Sequence, residues 1–254
     1  MMDFQASSWE SYFYPETIGI DGNGVLINHL GLRDSRMLAA VEDELSAWRI
    51  LQWISRPLAS DFSYAHFKAV HRHIFQDIYP WAGQERTVGM QKAGHPYYPP
   101  GPGLTAAAEA QFASLAQADF LRGLPRDEFV LQLAEAWGEI NVVHSFREGN
   151  TRTQSVFFAQ LAEMAGHPLP LHKLARQPLR DKFVRARFHS QVSGSNTHLA
   201  DVLDQVVVPE TDPSQKMSAV EVRTYIQERI GEKLSARFIP KNSSKHLPKG
   251  PKRN

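Results

Sequence analysis

The chain has 254 residues, of which 42% are hydrophobic and 22% are charged, and its formal net charge is +1 at pH 7. This is an ordinary globular composition, and the near-zero charge gives no general argument for binding nucleic acid or an anionic membrane. The absence of cysteine excludes disulfides, thiol catalysis and cysteine-ligated zinc. No signal-peptide pattern and no membrane-spanning apolar run is found, so we expect a cytoplasmic protein, with export as an effector left open.

The first part of the chain is predicted to form an irregular extension followed by two helices. Residues 1–33 are rich in glycine and other turn-forming residues. From Asp34, a good helix N-cap, apolar residues recur at steps of three and four through Trp48, which predicts a helix with Trp48 on its apolar face. Ser63 is the predicted N-cap of a second helix, which should stop near Pro80.

Residues 86–103 differ in composition from the segments around them. They combine four prolines with glycines and aromatic residues, which favours a short hairpin or an extended flap over a helix. The predicted helices after the flap share an amphipathic pattern and cover about 105–122, 127–142, 151–165, 175–190 and 197–207. The predicted fold class is therefore all-α, a compact helical core with one small β-hairpin flap.

The end of the chain is predicted to lie outside this core. Residues 209–240 begin with a linker-like segment, which is followed by one more amphipathic helical pattern. Residues 241–254 are basic and are expected to be disordered. A short basic tail is usually a solvated chain end, so we expect no nucleic-acid partner.

The segment HSFREGNTR, residues 144–152, places polar chemistry between two apolar helices. A helix beginning near Thr151 leaves its first backbone N–H groups without intrahelical partners at its electropositive end. The turn at Gly149 and Asn150 allows consecutive amides to curve around an anion. The sequence therefore predicts a phosphate-binding cradle at this helix start.

Three side chains flank the predicted cradle. Arg152 supplies a guanidinium suited to phosphate, and Glu148 supplies a hard oxygen ligand for a Mg²⁺ ion that bridges phosphates. His144 titrates near neutral pH and can act as a general base that activates a hydroxyl. Each residue alone has a simpler explanation, such as a capping histidine or a solvated ion pair. Their combination within nine residues indicates a catalytic site.

This segment resembles the signature of the Fic domain family, H-[PX]-F-x-[DE]-G-N-G-R-x-x-R. Residues 66–88 resemble the family's helix leading into its flap, residues 92–100 resemble the flap, and the N-terminal segment is similar to an extension seen in some members. The resemblance covers roughly residues 10–205. It implies a Fic-type catalytic domain over 34–208 that transfers AMP from ATP to a hydroxyl of a target protein.

The resemblance also implies roles for individual residues. His144 would deprotonate the Ser, Thr or Tyr hydroxyl of the target, and Glu148 would carry the Mg²⁺. The flap would cover the nucleotide and pair with the target segment as a strand does. The implied nucleotide-binding residues are Lys92, Ala93, Arg147, Glu148, Gly149, Asn150, Thr151, Arg152 and Thr153.

Two signature positions depart from the family pattern. Thr151 replaces the second glycine, and Ser155 replaces the final arginine, which puts the handling of the γ-phosphate in question. The family's inhibitory segment, [ST]-x-x-x-E-[GN], does not occur, so restraint by a small antitoxin-like partner is one expectation and no restraint is the other. Three functions stay open: an AMP-transferase used as a toxin or effector, a transferase with another nucleotide donor, and a catalytically weak interaction module.

Overall fold

Two helices begin at their predicted capping residues. The computed structural model describes residues 6–56 and 60–208, and the segments predicted over 209–254 lie outside them. The Asp34 carboxylate accepts a hydrogen bond from the Met37 N–H at 2.8 Å and starts α1, Ser35–Ser55. The Ser63 hydroxyl accepts one from the His66 N–H at 3.1 Å and starts α2, Tyr64–Phe75.

Two details of these helices differ from the prediction. Helix α2 ends at Phe75, before Pro80, because the chain turns there and the Phe75 carbonyl accepts the N–H groups of the next turn. Trp48 is 55% exposed, so its predicted place on a packed face is wrong. The face of α1 that meets the signature segment carries Glu42 and Ser46, and Trp48 lies on the opposite side of the helix.

The predicted flap is a minimal hairpin. Strand β1, Gln91–Lys92, pairs antiparallel with β2, His95–Pro96. The two residues between them, Ala93 and Gly94, both have positive φ, 48° and 82°, which matches the twist of a two-residue hairpin turn. The prediction of a helical fold with one small hairpin is confirmed.

The remaining helices enclose a core that is rich in aromatic residues. They are α3, Pro102–Gln117; α4, Arg126–Val143; α5, Asn150–Met164; α6, Leu171–Leu174; α7, Leu179–Ser193; and α8, Thr197–Asp204. Phe67 of α2, Phe157 of α5 and Phe146, in the loop between α4 and α5, are fully buried together. No helix within 6–56 and 60–208 is long and apolar enough to cross a bilayer.

Candidate active site

The loop between α4 and α5 is closed by one amide side chain. The Phe146 N–H donates to Asn150 Oδ1 at 3.0 Å, and Asn150 Nδ2 donates to the Phe146 carbonyl at 2.6 Å. Phe146 itself is fully buried and stacks on His71, with ring centroids 3.8 Å apart. The loop is therefore anchored in the core at its centre, and the residues on either side of Phe146 are held in fixed positions.

The start of α5 presents the predicted cradle. The N–H groups of residues 150–152 have no hydrogen-bond acceptor in the described part of the chain, because they form the first turn of the helix. Gly149 precedes them with φ of +83°, and a Cβ there would lie 2.3 Å from Phe75 Cε2. Only glycine satisfies both the backbone angle and this contact, so Gly149 fixes the path of the chain into the cradle.

His144 stands at the other end of the loop, as the left-handed C-cap of α4, with φ 51° and ψ 59°. Its imidazole lies face to face with Tyr97, at a centroid distance of 3.7 Å. Burial, reinforced by the nearby charges of Arg187 and Arg86, lowers the pKa of His144 to about 3. The ring is therefore neutral at neutral pH and retains the lone pair that a general base requires.

The two charged residues beside the cradle, Glu148 and Arg152, lie close to each other. Glu148 Oε1 accepts the Gly149 N–H at 2.9 Å and lies 3.7 Å from an Nη of Arg152. Arg152 also donates to the Ser46 hydroxyl at 3.0 Å and pairs with the Glu42 carboxylate of α1. Arg152 thus lies between two carboxylates. Sequence patterns do not reveal Glu42, since it is 110 residues away along the chain.

The other four predicted nucleotide-binding residues fall into two pairs, one that packs against the loop and one in the flap. The Arg147 guanidinium packs 3.9 Å from the centroid of Trp9, on the N-terminal segment. Thr153 is fully buried, and its hydroxyl donates to the Gly149 carbonyl at 3.0 Å. These two side chains support the loop. Lys92 and Ala93 are exposed at the tip of the flap.

A buried arginine absent from the sequence prediction connects the flap to the loop. Arg86 is 1% exposed, and its guanidinium donates to the carbonyls of His144 at 2.7 Å and Val88 at 2.8 Å and to that of Tyr98. Its backbone N–H donates to the Ser145 carbonyl at 2.8 Å. Arg86 therefore fixes the distance between the root of the flap and His144.

His71 supports the loop from α2. Its Nδ1 accepts the Gly83 N–H at 2.8 Å, which leaves the proton on Nε2 to donate to the Glu148 carbonyl at 3.0 Å. Within the described ranges, no three His, Asp or Glu side chains gather in a way that would hold a metal ion. His66 and His73, the other histidines of this helix, bond to Gln160 and to the Arg49 carbonyl.

Comparison with known proteins identifies the family. The model of the Fic/DOC family matches residues 61–162. The probable protein adenylyltransferase y4lH of Sinorhizobium fredii is 35% identical over 174 residues, which cover 65% of this chain and 84% of y4lH. The chain belongs to the Fic/DOC family. The resemblance of residues 144–152 to the Fic signature is thereby confirmed.

Further relatives match the chain in sequence or in structure. The protein adenylyltransferase VbhT of Bartonella schoenbuchensis is 32% identical over 70% of this chain, which spans 36% of VbhT. The structure of BepC, a VirB-translocated effector of Bartonella tribocorum with bound AMPPNP, covers 79% of this chain with a TM-score of 0.70 at 21% identity. This chain covers 97% of that structure. It also covers 95% of the N-terminal Fic domain of a Bartonella quintana effector with bound ADP, at a TM-score of 0.71 and 22% identity, so the helical architecture is that of a Fic domain.

The two departures from the Fic signature lie together at the start of α5. The Thr151 side chain is exposed and accepts a hydrogen bond from Arg187 Nη1 at 2.8 Å. The Ser155 hydroxyl donates to the Thr151 carbonyl at 2.9 Å. Where the Fic pattern has an arginine, this chain therefore has a short neutral side chain turned back onto its own helix.

Proposed function

We propose that this protein is a protein adenylyltransferase that transfers AMP from ATP to a Ser, Thr or Tyr hydroxyl of a target protein. The observation that carries the proposal is that the His144 imidazole and the N–H groups at the start of α5 lie at the two ends of one loop, which Asn150 ties to Phe146. The nucleotidyltransferase class is supported by the names of the relatives, which are protein adenylyltransferases. A neutral base beside bound phosphate is what activation of a hydroxyl requires.

In the proposed reaction, His144 accepts the proton and the start of α5 binds the phosphates. The target hydroxyl oxygen attacks the α-phosphorus of ATP, the bond to the bridging oxygen breaks, and pyrophosphate leaves with the electron pair. A ring nitrogen of His144 takes up the hydroxyl proton. The N–H groups of residues 150–152 and the guanidinium of Arg152 bind the phosphate oxygens, on which negative charge is concentrated in the transition state.

Glu148 fits the role of a Mg²⁺ ligand. Its carboxylate is 43% exposed, and while Oε1 is held by the Gly149 N–H, Oε2 has no hydrogen bond to a described residue. Mg²⁺ in nucleotide sites takes one or two protein carboxylates and completes its shell with phosphates and water, so a single carboxylate suffices. A bound Mg²⁺ would neutralise charge on the phosphates of the donor.

The flap and an inhibitory protein complete the proposal. Lys92, whose Nζ lies 5.6 Å from the centroid of Phe188 on α7, and Ala93, in the exposed turn, would cover the nucleotide. The outer edge of β1 would take a target segment as an added strand. The sequence holds no inhibitory segment of the family pattern, so the enzyme would be restrained by a small antitoxin-like protein or would act without restraint. The cellular site of action is the cytoplasm, of this cell or of a recipient cell.

The test measures transfer of the α-phosphate. Protein labelling from ATP labelled at the α-phosphorus should fall about 10²- to 10⁴-fold in His144→Ala, while ATP binding stays intact. His198→Ala, which removes an exposed histidine on α8, is the matched control and should label normally. Unchanged labelling in His144→Ala would contradict the role of the base.

A different nucleotide donor is the second candidate function. The observation that favours it is Ser155, which leaves the end of the cradle without the family's arginine. The same assay with UTP, GTP and CTP labelled at the α-phosphorus, and with a phosphocholine-bearing nucleotide labelled in its phosphocholine group, decides between the donors. If one of these nucleotides labels protein faster than ATP does, the transferred group is the one from that nucleotide and not AMP.

A further inference from the structure

A buried arginine of α7 reaches the start of α5. Arg187 is 7% exposed, and its Nε and Nη2 both donate to Asn141 Oδ1, at 3.1 Å and 2.6 Å. Its Nη1 donates to Thr151 Oγ1 at 2.8 Å. Asn141 lies in the last turn of α4 and Thr151 in the first turn of α5. Arg187 therefore bridges the two helices that carry the ends of the signature loop.

The charge of Arg187 has no acidic partner among the described residues. Its two side-chain acceptors are an amide oxygen and a hydroxyl, which are both neutral, and two of the five N–H groups of a guanidinium have no acceptor in this part of the chain. Arg152, by contrast, lies within 4 Å of two carboxylates. Burial lowers the pKa of Arg187 to about 10, so the group still carries its charge at neutral pH.

This arrangement places the positive charge of Arg187 next to the positive end of the α5 helix dipole. The N–H groups at the start of α5 carry the positive end of the helix dipole, and Arg187 adds a buried cation next to them. A buried charge without a partner is strongly unfavourable in a folded protein. An anion bound at the cradle would be the counter-charge to both groups.

We propose that Arg187 is a phosphate-binding residue of the nucleotide site and that Thr151 holds its guanidinium at the edge of the cradle. This inference rests on the proposed function. The Thr151 side chain is exposed, so its hydroxyl marks the point at which Arg187 approaches the ligand space. A phosphate seated on the N–H groups of residues 150–152 is adjacent to that hydroxyl. Arg187 thus supplies from α7 a cation that Ser155 does not supply from α5.

The test compares two arginines of the same helix. Arg187→Gln should weaken ADP binding by about 10- to 100-fold, the value of one charged hydrogen bond, and leave binding of adenosine, which has no phosphate, unchanged. Arg185→Gln removes the same charge from an exposed position of α7 and should change neither. Calorimetric titration of the full chain with ADP and with adenosine measures both affinities.

A second variant keeps the test decisive if Arg187→Gln does not fold. Thr151→Val keeps the shape of an exposed side chain and removes the hydroxyl, and it should weaken ADP binding while adenosine binding stays the same. Equal losses for ADP and adenosine would make Arg187 a packing residue and overturn the proposal, as would ADP binding at wild-type affinity in both variants. Either result leaves the proposed transferase function standing. A wild-type protein that binds no nucleotide would remove that function and the role of Arg187 together.

Discussion

The phenol ring of Tyr97 covers one face of the His144 imidazole, with centroids 3.7 Å apart and planes inclined by 14°. Tyr97 follows β2, and its N–H donates to the Met90 carbonyl at 3.0 Å. Arg86 holds the same junction through the carbonyls of His144 and Tyr98. The flap and the proposed base, His144, are therefore packed against each other. A substitution in the flap should change the position of the His144 ring.

Loss of this ring contact should lower transfer. Tyr97→Ala removes the stack and frees the imidazole to rotate, and we expect AMP transfer to fall by about tenfold, the upper range for an aromatic pair. Tyr97→Phe keeps the ring and should retain most of the activity. Trp48→Ala, which removes a 55% exposed aromatic residue from the outer side of α1, is the control. A wild-type kcat in Tyr97→Ala would show that the stacking of Tyr97 on His144 does not contribute to catalysis.

The pH dependence of transfer should show a base with a depressed pKa. Burial and the charges of Arg187, Arg86 and Lys92 lower the pKa of His144, so the ring loses its basic form only as the pH falls below the ordinary histidine value of about 6.5. The acid limb of kcat/KM, which reports the free enzyme, should therefore lie below pH 6.5. In the complex with substrate, the negative charge of the bound phosphates offsets the effect of these cations on the pKa of His144. The acid limb of kcat should therefore lie at a higher pH than that of kcat/KM. A kcat/KM limb above pH 6.5 would contradict this assignment.

The stability of the protein should fall in mild acid. Burial lowers the pKa of His71 to about 3, so between pH 6.5 and 3 the unfolded chain binds a proton that the folded protein excludes. The free energy of unfolding therefore rises with pH across this window, by at most about 1.4 kcal/mol per pH unit for this residue. Denaturant titrations at pH 5 and pH 7 should show a smaller pH difference for His71→Gln than for wild type. An equal difference in the two proteins would mean that His71 is protonated in the folded state.

Restoring the family's arginine should favour ATP over ADP. Ser155 is partly exposed, and among the described residues its hydroxyl bonds only to its own helix, so Ser155→Arg adds a charged side chain without displacing the core. One well-formed charged hydrogen bond to the γ-phosphate should strengthen ATP binding by about 1.5–3 kcal/mol and leave ADP binding nearly unchanged. Calorimetry with both nucleotides measures the difference. Equal gains for ATP and ADP would place residue 155 away from the γ-phosphate.

Local chemistry made much of this fold predictable. The helix starts after Asp34 and Ser63 depend on hydrogen bonds that each residue makes to the third N–H beyond it. The turn at residues 93–94 and the cradle at residues 149–152 depend likewise on the backbone angles and free N–H groups of neighbours. Such features are determined by the sequence itself because all the interacting atoms belong to a few consecutive residues.

Only the tertiary structure decided which distant side chains reach the site. Glu42 meets Arg152 from 110 residues away, Arg86 meets the His144 carbonyl from 58, and Arg187 meets Thr151 from 36. The same packing turned Trp48 to the outside of α1. Hydrophobic periodicity defines a helix and its apolar stripe, but the partner of a buried charge depends on how helices pack, since the cost of burying that charge is balanced by groups from other helices.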